Sequence, residues 1–125
     1  MDFFASPDHS DPKFQSFLED ACSILSNWIC TTNQKSPLPL NFDLPDVEPC
    51  PDGLAPEKLL DDLKLLMSGS YHPSHPGALA HLDPPPLTAS IVGELISAGL
   101  NNNLLAEELS PSITKLERSL CRWIS

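Results

Sequence analysis

The chain has 125 residues and a mass of 13.6 kDa, the length of one modest domain. Its 17 acidic residues against 7 basic ones give a net charge of −10, which repels nucleic-acid phosphates and anionic lipid headgroups. At 41% hydrophobic it holds too much apolar material for a disordered acidic tail, and 14 prolines against 5 glycines mark stiff connections.

The opening stretch, MDFFASPDHSDPKF, lacks the basic segment and apolar run of a secretory signal. No run approaches the roughly eighteen apolar residues of a membrane helix. The expectation is a soluble, cytoplasmic protein with reduced thiols. Cys22, Cys30, Cys50 and Cys121 form no CxxC pair. Cys22 and Cys121 fall within apolar helical patterns and are expected to act as small buried hydrophobes.

Asp11 and Pro12 make a helix start, with Asp at the N-cap and Pro at the first helical position. Phe14, Phe17, Leu18, Ala21, Ile24, Leu25, Trp28 and Ile29 then recur at steps of three and four, predicting a helix over 12–32. Residues 36–56 hold Pro37, Pro39, Pro45, Pro49, Pro51 and Pro56, a density that excludes helix and central strand. Leu38, Leu40, Phe42, Leu44 and Val47 lie between them, so this stretch reads as a strap on a surface rather than a free linker.

Leu59, Leu60, Leu63, Leu66 and Met67 form the stripe of a second helix over 56–68, with Gly69 expected as its terminating glycine. Residues 70–86 are again broken by proline. Leu87, Ile91, Val92, Leu95 and Ile96 predict a third helix over 87–100, where Gly93 and Gly99 are expected to allow close packing or a break. Asn101, Asn102 and Asn103 end it, and a short helical piece is expected over 104–109. Ser110 and Pro111 then open a last helix over 111–124, with Ser110 as its cap and Ile113, Leu116, Leu120, Trp123 and Ile124 as its stripe. Its periodicity runs to the final residues, which reads as a cut. No strand pattern occurs. The fold class is therefore all-α, amphipathic helices joined by proline-rich straps, divided into 1–55 (helix and strap) and 56–125 (the remaining helices).

Catalytic patterns are missing. Prolines follow His72 and His75, so His72, His75 and His81 do not share a helical face, and a metal site there is weaker than an ordinary loop. Ser74 beside His75 is sequence proximity only. Asp61 and Asp62, like Glu107 and Glu108, are adjacent on helices, point apart and read as solvated faces. None of the lysines sits in an apolar setting suited to imine chemistry. Catalytic, cofactor-binding and metal-binding residues are thus all read as none.

The stretch from His75 to Ser125 resembles the N-terminal region of the group II pyridoxal-phosphate-dependent amino-acid decarboxylases. That family includes the aromatic-amino-acid, glutamate and 2,4-diaminobutyrate enzymes. The most specific block is S-P-x-x-T-x-L-E-x-x-V-x-x-W-[LIM], matched by Ser110, Pro111, Thr114, Leu116, Glu117, Trp123 and Ile124. It follows a helix matched by residues 91–99 and an asparagine-bearing turn. The Asp83-Pro84-Pro85-Pro86 turn is most similar to the diaminobutyrate branch. Gly77-Ala78-Leu79 departs from the family, which carries bulkier residues after the His-Pro pair.

The resemblance implies the N-terminal segment of a fold-type I enzyme, truncated before the cofactor domain. The full-length family forms homodimers and releases CO2 from an L-amino acid through pyridoxal 5'-phosphate, whose ring accepts the electrons of the breaking bond. This chain would contribute to dimerisation and to part of the substrate-pocket wall, through the loop His81, Leu82, Asp83 and Pro84. It would bind no cofactor and be inactive alone. The alternative is a non-catalytic helical interaction module or the product of a decayed gene. Neither reading involves nucleic acid or a membrane.

Overall fold

The computed structural model describes residues 8–39, 42–44, 50–79 and 82–125. The chain is all-α: α1 (Pro12–Cys30), α2 (Pro56–Ser68), α3 (Thr88–Leu100) and α4 (Pro111–Ile124), with 3-10 turns at Thr32–Gln34 and Glu107–Leu109. Among the described residues there is no strand, and no helix is long and apolar enough to cross a membrane. Two compact units result, Met1–Pro85 and Pro86–Ser125. The compositional boundary at 55/56 falls inside the first.

In the first unit, Asp11 caps α1 as expected, its carboxylate accepting from the amides of Lys13 (3.0 Å) and Phe14 (3.2 Å). The α-helix stops at Cys30, and the tighter 3-10 turn takes up the rest of the expected span. The first turns of α1 and α2 meet around one hollow, through Pro12 and Phe17 on one side and Pro56 and Leu60 on the other. Further along, Ile24 and Trp28 share a second hollow with Lys64 and Met67. The two helices therefore run side by side in the same direction, which requires the intervening chain to travel back along them.

The strap is seen at residues 36–39, 42–44 and 50–56; Leu40, Pro45, Val47 and Pro49 lie outside the described residues. Pro37 accepts the backbone N–H of His72 at 2.9 Å. The Phe42 ring lies against Gly69, so closely that a Cβ added there would land in the ring. Gly69 does end α2, but at φ −90° rather than in the left-handed region. Its role is the close approach of Phe42, not a reversed backbone. Among the described residues, Leu60 is the one buried hydrophobe; Leu59, Leu63 and Leu66 remain exposed.

In the second unit, α3 runs unbroken through Gly93 and Gly99, and nothing approaches either glycine. The expected close packing or break is not found, because no described neighbour covers that side. Asn101 closes α3 in the left-handed region (φ 43°, ψ 40°), where its N–H reaches Ser97 O at 2.9 Å. Asparagine tolerates this conformation better than any residue but glycine.

Ser110 occupies the N-cap position of α4, but its hydroxyl does not cap the helix amides. It turns instead toward Asn102 Oδ1, at 3.5 Å, and is fully buried. Pro111 itself needs no cap, since a proline has no N–H to satisfy. Glu107 pairs with Arg118 at 3.0 Å and ties the 3-10 turn to α4.

The cysteines correct a further expectation. All four are free, and Cys22 and Cys121 are exposed rather than buried. Cys22 shares an outer face of α1 with Ser23, Ser26, Asn27 and Cys30, so its neighbours on that face are small and polar. Cys121 lies on a helix whose own apolar stripe is uncovered, with Trp123 84% exposed.

Candidate functional site

The most constrained group of side chains gathers where α1, the strap and the exit of α2 meet. His72 is only 5% exposed. Its ring stacks on Trp28 at a centroid distance of 3.9 Å and an interplanar angle of 14°. Nε2 lies 3.0 Å from the Trp28 carbonyl oxygen, so the proton belongs on Nε2 and is donated to that carbonyl. Nδ1 is then a buried lone pair with no hydrogen-bond partner. The His72 N–H reaches Pro37 O, and its own carbonyl accepts from His75 N at 3.1 Å. One residue thus fastens three segments.

His75 is turned inward on its own loop: Nδ1 accepts from the Gly77 N–H at 2.8 Å. That bond holds the ring over a backbone turn and gives no Ser74–His75 nucleophile arrangement. The three-histidine set is not assembled: His72 is engaged with Trp28, His75 with Gly77, and His81 lies outside the described residues. Among the described residues, no group of three potential ligands could hold a metal ion.

Of the loop expected to wall a pocket, His81 is outside the described residues, while Leu82, Asp83 and Pro84 are exposed, Leu82 completely. The acidic pairs are divided between different partners. Asp62 pairs with Lys58, Asp61 with Lys64 at 3.0 Å, and Glu107 with Arg118. Such exposed pairs contribute at most about 1 kcal/mol each and form no acid–base site.

Pyridoxal phosphate requires a lysine held in an enclosed setting, where the amine is unprotonated and the imine is shielded from water. Lys13, Lys35, Lys58, Lys64 and Lys115 are all exposed. None of the five is held in such a setting. The feature that sequence reasoning missed is the Trp28–His72 clasp. Its partners are 44 residues apart, and no local spacing reports such a pairing. No family model matches the chain, and no curated protein matches its sequence.

Proposed function

We propose that this chain corresponds to the N-terminal helical region of a pyridoxal-phosphate-dependent amino-acid decarboxylase of group II. In that role it contributes to dimerisation and to one wall of the substrate pocket, while the cofactor is held elsewhere in the full enzyme. The observation that carries the reading is the block Ser110, Pro111, Thr114, Leu116, Glu117, Trp123 and Ile124, which falls on one helix with Ser110 and Pro111 at its start. The loop Leu82, Asp83 and Pro84 is exposed, as a segment that meets another part of an enzyme would be. A cytoplasmic setting is part of this proposal.

A second reading, a non-catalytic interaction module, draws on the uncovered stripe of α4, where Leu116, Leu120, Trp123 and Ile124 are all exposed. Complementation in trans separates the two. A 2,4-diaminobutyrate, glutamate or aromatic-amino-acid decarboxylase lacking its own N-terminal region is mixed with this chain and supplied with pyridoxal phosphate. Recovery of CO2 release in at least one enzyme is expected, with none from the chain alone. Failure in all three, or CO2 release by the isolated chain, contradicts the proposal.

A further inference from the structure

The second hollow between α1 and α2 joins an apolar floor to unusual charge. It is a partly open hollow of about 140 Å3, lined by Ile24, Asn27, Trp28, Lys35, Lys64, Met67 and Ser68. At about 30 Å3 per water molecule this is room for a small ligand, well below a drug-sized pocket. Its aromatic wall is fixed in place, because His72 stacks on Trp28 and binds the Trp28 carbonyl. Two of the seven basic residues in a chain of net charge −10 converge here. Lys64 is shared with Asp61, but Lys35 has no ion-pair partner among the described residues.

The C-terminal ends of α1 and α2 lie nearby and oppose an anion, each as about half a negative charge that fades within one turn. Lys35 brings an unshared full positive charge on a long stem, which outweighs the helix ends where its ammonium meets the ligand, while Lys64 would divide its donors between Asp61 and the ligand. A cationic ligand would face both lysines, and a purely apolar one would leave the Lys35 charge unused.

We propose that this hollow binds a small organic carboxylate, its charged group between Lys35 and Lys64 and its apolar body against Trp28, Ile24 and Met67. The inference is independent of the decarboxylase reading, since none of these residues lies in the block that carries it.

The experiment uses the full chain with Trp123→Phe, so that Trp28 is the one fluorescent tryptophan. Phenylacetate is titrated, with uncharged phenylacetamide as the control. A saturable change with phenylacetate alone is expected, weakened at least about threefold by Lys35→Ala. Circular dichroism checks that the variant keeps its helices, and methyl NMR shifts at Ile24 and Met67 locate the ligand. No saturable change with phenylacetate, equal responses to the two compounds, an unaltered affinity in Lys35→Ala, or shifts that spare both methyls would each overturn the proposal.

Discussion

His72 is held by contacts to three segments at once: the Trp28 ring and carbonyl, the Pro37 carbonyl and the turn through His75. An aromatic stack is worth about 0.5–1.5 kcal/mol and a hydrogen bond a similar amount, while the orphaned Nδ1 costs part of that gain. His72→Ala should therefore lower the stability of the first unit by about 1–3 kcal/mol. Urea unfolding followed through Trp28 fluorescence measures it, and a loss below about 0.5 kcal/mol would refute the clasp. Gly69 gives a second residue-scale prediction. Its φ of −90° suits any residue, so only the Phe42 ring forbids a side chain. Gly69→Ala should destabilise by about 1–2 kcal/mol in the native background yet be neutral or stabilising beside Phe42→Ala. An equal cost in both backgrounds would mean that Phe42 is not the cause.

The helices end where their punctuation says they should. Asn101 is the clearest stop, because its positive φ is costly for a branched side chain. Asn101→Val should lower stability by about 1 kcal/mol, whereas Asn101→Gly should leave it unchanged or raised; thermal melting by circular dichroism distinguishes these outcomes. Element boundaries are legible because Asp11-Pro12, Pro56, Asn101 and Pro111 act within one turn of chain, at the range a sequence pattern reports. Side-chain destinations are less so. The pattern makes Ser110 the cap of α4, but its hydroxyl turns to Asn102, eight residues back. The same kind of pattern puts Cys22 inside, but only Leu60 among the described hydrophobes is buried, so apolar periodicity does not ensure burial. The Trp28–His72 contact depends on α1 and α2 running in the same direction, which no local periodicity encodes. Of the expected pocket loop, the sequence offers only the resemblance, and its described residues are exposed.

Across the molecule, charge and apolar surface are unevenly shared. Lys115, Arg118 and Arg122 nearly balance Glu94, Glu107, Glu108 and Glu117, so residues 1–85 carry almost all of the −10. The less charged part also holds the Ser110–Ile124 segment, with the exposed Trp123 and Ile124. A helix with such a stripe gains most of its stability from tertiary packing, and a partner surface would supply it. This distribution is compatible with the proposal that the chain works as part of a larger enzyme. Sequencing the transcript that encodes the chain tests this most directly. The account predicts that its reading frame also encodes a cofactor domain with an imine-forming lysine. A transcript encoding no such domain would contradict it.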